Sequence, residues 1–170
     1  MFIRFIDERN IEIDDCRIMW RNFSGLEGRF PDPIRGRGFA VIIPNQELAD
    51  ALTENGWDVI VRPARDEDED PLYLLKVKFN YLHEGLKPTA YLKSGRNMKA
   101  LDEDTIGILD RASIMSVNAD IRRSEYIDKH TGELKKTNYL KHIKVTQQID
   151  RFAAEMEAMA AEEEGIPFAE

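Results

Sequence analysis

"LYLLKVKFNYL", residues 72–82, is the stretch from which the fold is read. Leu75, Val77, Phe79 and Tyr81 fall on one side of it, and Lys76, Lys78 and Asn80 on the other. A period of two belongs to a strand with one covered and one wet face; a helix would scatter these residues around its axis. The segment therefore predicts a sheet with a core on one side and lysines on the other.

The flanking segments extend this sheet. "CRIMWRNFSG" (16–25) is a strand candidate, and "GLEGRFPDPIRGRG" (25–38), rich in glycine, proline and arginine, is a loop. "FAVIIP" (39–44) is a buried strand stopped by Pro44. Asn45 then N-caps a short helix carrying Leu48, Ala51 and Leu52 on one side, with Gly56 just past its end. "WDVIVRP" (57–63) and "TAYLKSG" (89–95) are further strands, and "LDEDTIGILDRA" (101–112) reads as a helix capped at Asp102 with Ile106 and Leu109 inward. Residues 116–149 form two long strands around a turn near Thr131 and Gly132. Beyond Arg151 the alternation stops, and Phe152, Met156 and Met159 take helical spacing. Those three residues would pack either on a second subunit, making a homodimer, or back on the body.

Strands separated by turns rather than by regular helices argue against a doubly wound sheet. The expected architecture is mainly β with short helices: an OB-fold-like barrel of five to seven strands with a long β-hairpin and an acidic C-terminal tail. Residues 1–151 form the body and 152–170 the tail, flexible or partly helical.

Charge is distributed unevenly. The chain carries −8, but residues 152–170 hold six glutamates and no basic residue, and "DEDED" (66–70) adds five more acids. What remains is mildly basic, so the whole-chain charge misdescribes the body. From Leu72 to Ala100 six basic residues face one acid, and from Asp120 to Arg151 eight face five.

No enzyme motif is present. His83, His130 and His142 lack metal-pair spacing, and no phosphate loop, dinucleotide fingerprint or nucleophile elbow occurs. The lone Cys16, in "EIDDCRIMW", has the setting of an inert structural thiol and implies a reducing compartment. "DEDED" and "LDEDT" would be a nuclease's only magnesium candidates, but one is a charge-dense loop and the other a helix start. No catalytic residue, cofactor or metal site is expected. No apolar run approaches a membrane span and no signal-peptide pattern opens the chain, so the expected setting is cytoplasmic.

Cations tracking a backbone, with aromatic faces for bases to stack on, are what a sequence-tolerant single-strand binder needs. The candidates are Arg21, Arg29, Phe30, Arg35 and Arg37 around the first loop, then Lys76, Lys78, Lys93, Arg96, Lys99, Arg122, Lys135 and Lys141. Trp20 and Trp57 suit either the surface or the core.

Residues 16–150, from "WRNFSGLEGRFPDPIRGRGFAVIIPNQELADAL" through "SGRNMKALDEDTIGILDRASI", resemble a group of small bacteriophage proteins with OB-fold single-stranded DNA-binding architecture. The end of the chain is similar to bacterial single-stranded DNA-binding proteins, whose acidic tails close in Ile-Pro-Phe and dock replication and repair partners. Here Glu162, Glu163 and Glu164 precede Ile166, Pro167 and Phe168, and Ala169 and Glu170 follow. The resemblance implies sequence-nonspecific single-stranded DNA binding in phage replication, recombination or repair, with the tail docking replication or recombination proteins or competing with DNA. The alternative is an acidic DNA mimic or interaction protein inhibiting a host nucleic-acid enzyme.

Overall fold

Two residues that are not glycines take left-handed backbone conformations in the same strand, Asp15 at φ 52° and Trp20 at φ 53°. Both sit at breaks in register, where β2 (Asn10–Asn22) bends enough to be shared by three neighbours. The computed structural model describes residues 1–149, 152, 155, 156, 158–160 and 162.

The ring is built from pairings. β2 pairs with β3 (Gly38–Ile43), β3 with β5 (Leu72–Lys78), β2 also with β8 (Ile114–Ile127), and β8 with β9 (Leu134–Gln147). A parallel contact between Lys78 and Tyr139 joins β5 to β9 and closes the circuit. The spatial order β8-β2-β3-β5 places a returning fourth strand beside the first of three, which is a Greek key. Five strands closed in this way form an OB-like barrel. The other strands decorate it: β1 (Phe2–Phe5) on β2, β4 (Ile60–Arg62) on β5, and β6 (Thr89–Ser94) on β9, with β7 (Asn97–Leu101) outermost.

The alternation of residues 72–82 appears as expected: Leu75, Val77 and Phe79 are buried while Lys76 and Lys78 are exposed. They join Ile11, Ile13, Phe23, Val41, Ile121, Ile143 and Val145 in one continuous core. The first helix, α1 (Gln46–Glu54), follows Asn45, whose side chain accepts from the Leu48 amide at 2.9 Å. Its buried residues are Ala49 and Leu52, with Leu48 at the margin, so the apolar stripe lies one step from the Ala51 position expected. Gly56, at φ 88°, ends it.

Four elements differ from the sequence reading. β1 and β7 were not anticipated. The segment 57–63 is strand only over Ile60–Arg62, with Trp57 buried in the core. Residues 101–112 form no α-helix: the Asp102 carboxylate accepts from the Asp104 and Thr105 amides and the Thr105 hydroxyl, and a 3-10 turn, Ile106–Asp110, follows. A short acidic side chain that captures nearby amides favours a turn over a continuing helix. Ile106 and Leu109 are nonetheless fully buried.

Candidate nucleic-acid interface

The loop 23–37 is built rather than slack. Arg37, only 6 % exposed, donates to the carbonyls of Pro33, Phe23 and Glu103 at 2.6, 3.2 and 3.0 Å, and its guanidinium lies 5.3 Å from the Tyr81 ring centre. Asp32 accepts from the amides of Ile34 and Arg35, and Asn22 donates to the Gly36 carbonyl. Gly25 is at φ 76°, and a Cβ there would lie 2.5 Å from the Asp32 carbonyl oxygen. The loop base is locked to the 3-10 turn: Arg21 donates to the Leu109 and Ala112 carbonyls, and Asp110 accepts from the Phe23 and Ser24 amides. Of the two expected site residues here, Arg37 is buried and Arg21 half-buried, and both guanidinium groups direct donors to backbone carbonyls, as a desolvated cation requires.

Two open clefts adjoin on the barrel's outer face. The first, of about 330 Å³, lies between this loop and the β3–β5 surface and is lined by Trp20, Asn22, Arg35, Lys76 and Lys78, with Arg37 at its floor. The second, of about 450 Å³, lies between residues 79–87 and the β8–β9 surface. Asn80, His83, Lys87, Arg122, Ser124, Tyr139, Lys141 and His142 supply its polar lining. Neither cleft has an aspartate or glutamate in its lining.

A single cross-strand row joins them. Asn22 registers with Gly38, Gly38 with Lys78, Lys78 with Tyr139, Tyr139 with Arg122, and Arg122 with Asn10. Each member is next in sequence to a core residue: Phe23, Phe39, Val77, Leu140, Ile121 and Ile11 respectively. Alternation therefore turns the whole row outward. Lys76 and Lys141, two residues from Lys78 and Tyr139, extend the same face. Lys76, Lys78, Arg122 and Lys141 form no ion pair among the described residues.

The other expected residues lie elsewhere. Arg29 and Phe30 share the loop tip, with the guanidinium 5.9 Å from the ring centre and Phe30 85 % exposed. Lys93, Arg96 and Lys99 belong to the β6–β7 hairpin, outside both clefts. Lys135 is near the tip of the β8–β9 hairpin, 3.9 Å from Glu133. Of the tail, Phe152, Met156, Met159 and Glu162 are helical and exposed, so the three apolar residues do not pack on the barrel. Glu163, Glu164, Ile166, Pro167 and Phe168 lie outside the described residues. Tyr139, in the second cleft's lining, is not among the expected site residues, although it is an aromatic in the basic stretch between Lys136 and Lys141.

The neighbouring row on the same strands is acidic: Glu12 registers with Asp120, Asp120 registers with His142 at the edge of the second cleft, and Arg4 bridges Glu12 at 2.6 Å and Asp14 at 3.4 Å. Burial, then the Glu12 charge, holds the Asp120 carboxyl above its ordinary range. No group of three or more histidine, cysteine or carboxylate side chains is arranged to hold a metal among the described residues.

No curated protein sequence matches. Among solved structures, the single-stranded DNA-binding protein from bacteriophage Enc34 superposes with a TM-score of 0.50 at 9 % identity, covering 89 % of this chain and 93 % of that one. The same protein in complex with ssDNA gives 0.49 at 11 % identity, over 84 % and 89 %. At 9 % identity the first of these likenesses concerns the fold alone. The family model described as "Putative phage ssDNA-binding domain" matches residues 3–166, nearly the whole chain, and the protein belongs to that family.

Proposed function

We propose that the chain binds single-stranded DNA without sequence preference, along the outward row Lys78–Tyr139–Arg122 and the two clefts it joins. One observation carries this reading: in a chain of net charge −8 with 32 acidic residues, the linings of two adjoining clefts contain no carboxylate. A backbone laid along the row would meet Lys76, Lys78, Arg122 and Lys141, with Arg35 above the first cleft and Arg29 and Phe30 at the loop tip. Neutralising phosphates releases counterions, which is the main source of sequence-independent affinity. Tyr139 offers a stacking face between two cations, and such a face accepts every base. The family assignment and the OB-like ring support the same reading.

In this reading the body, residues 1–151, holds DNA during phage replication, recombination or repair. The tail, 152–170, docks partner proteins through Ile166, Pro167 and Phe168, or competes with DNA as a polyanion for the basic clefts. A DNA mimic would need its acids lining the accessible clefts; here they gather on the tail, the loop 66–70 and the Glu12–Asp120 row, which borders the second cleft without entering its lining. Filter retention of poly(dT) separates the two. Retention at low salt that fades as salt rises supports the binder, and none at low salt defeats it.

A further inference from the structure

Trp20 is out of place by its own strand. Ile18 faces inward opposite Val41, so regular alternation would turn residue 20 inward opposite Phe39. Instead β2 carries one extra residue between the Met19–Ala40 and Asn22–Gly38 pairs, and Trp20 takes φ 53°. The inward place beside Phe39 goes to Phe23, whose ring stacks on it at 5.1 Å. A bulge re-aims a side chain at a cost in backbone strain, since a non-glycine residue in the left-handed region is unfavourable. Its result here is a tryptophan 41 % exposed in the wall of the first cleft.

The ring is also held. Arg62 places its guanidinium 4.7 Å from the Trp20 ring centre, within cation–π range, and forms no ion pair among the described residues. The two residues stand on β4 and β2, with β5 and β3 between them. The stack therefore bridges the sheet from outside, and Leu74 and Ala40, on the outward rows of the intervening strands, are fully buried. Arg62 does not line the cleft, so it contacts the indole away from the cleft contents.

We infer that Trp20 is a base-stacking platform of this interface and that Arg62 is the positioning residue that keeps its ring upright. The inference rests on the single-stranded DNA-binding reading above and adds two residues to it. A cover for Leu74 alone would need only an apolar side chain; an aromatic face turned out by a strained bulge beside Lys76, Lys78 and Arg35 presents what a base recognises.

Binding of labelled oligo(dT) to the full chain, measured over a range of salt, tests it. Trp20→Leu keeps an apolar cover and removes the ring. It should weaken binding about tenfold or more, leaving the salt slope unchanged, because stacking releases no counterions. Trp20→Phe should recover most of the loss. Arg62→Lys, which keeps the charge, should weaken binding several-fold in the native chain and not at all in the Trp20→Leu background. DNA should also shield Trp20 from iodide quenching, to which buried Trp57 does not contribute. Native affinity in Trp20→Leu overturns the platform. An Arg62 effect that persists without Trp20 and lowers the salt slope makes Arg62 a phosphate ligand and overturns its positioning role. Failure of the native chain to bind at low salt overturns the binding reading itself, and this inference with it.

Discussion

Lys78 and Tyr139 are register partners at the contact that closes the barrel, and they line different clefts: the lysine the first, the tyrosine the second. The seam of the fold is thus also the junction of the proposed interface. A substitution at either residue acts where β5 and β9 meet, so binding and folding effects have to be read separately there. Tyr139→Leu keeps a bulky apolar residue on the strand. It should lower oligo(dT) affinity about fivefold or more while shifting the melting temperature little.

Arg37 and Arg35 are two residues apart and predict opposite phenotypes. Arg37→Met leaves three carbonyls without their donor in a buried setting, and should cost about 2–4 kcal/mol of stability in a denaturant titration. Arg35→Ala removes an exposed cation from the cleft wall, so stability should hold while the salt slope of DNA binding falls. Equal destabilisation by both would refute the buried-anchor role given to Arg37.

Cys16 is 2 % exposed, and burial pushes its thiol up to about 12 from an ordinary 9.0. The native protein should resist a thiol-specific reagent at pH 8 and react at once when unfolded. The sign follows from linkage. With the folded value raised, the contribution to stability is complete below about pH 9 and is lost as pH climbs toward 12. Rapid labelling of folded protein at pH 8 would contradict this.

Asp120 faces Glu12 across a strand pair, and like charges so placed repel. Its raised value means that the charged form is the disfavoured one, so this strain is present at neutral pH and relieved as pH falls through the carboxylate range. Asp120→Asn should therefore raise the melting temperature at pH 7, with the gain shrinking on acidification. A loss of stability at pH 7 would show that the carboxylate has a partner that outweighs the repulsion.

Removal of residues 152–170 takes away six glutamates and no basic side chain. If the tail competes with DNA for the clefts, truncation tightens oligo(dT) binding, most at low salt where screening is weakest. Unchanged affinity would leave the tail with partner docking alone.

The barrel was legible because its signal is local. Residues 72–82 alternate, and the β8–β9 hairpin, Asn45 and Gly56 carry their own turn and cap chemistry. What escaped depends on partners distant in sequence. β1 is a strand because β2 offers it an edge. Residues 102–110 turn because Asp102 captures amides before a helix can propagate. The candidate site was half legible for the same reason: composition marked Lys76, Lys78, Arg122 and Lys141 as cations. No local pattern could reveal that Arg21 and Arg37 would turn to backbone carbonyls, or that a bulge would put Trp20 outside and leave Trp57 within.

The central claim is that DNA follows the row through Lys78 and Arg122. The most direct measurement is the slope of log affinity against log salt for oligo(dT), compared between the native chain and Lys78→Ala/Arg122→Ala. Each phosphate contact on a single strand contributes about 0.7 to that slope, so the double variant should lose about 1.4 and bind more weakly at every salt concentration. The Lys93→Ala/Lys99→Ala pair, on the hairpin outside both clefts, should leave the slope as it was. A native slope in the Lys78/Arg122 variant, or its loss in the Lys93/Lys99 variant, would contradict the path.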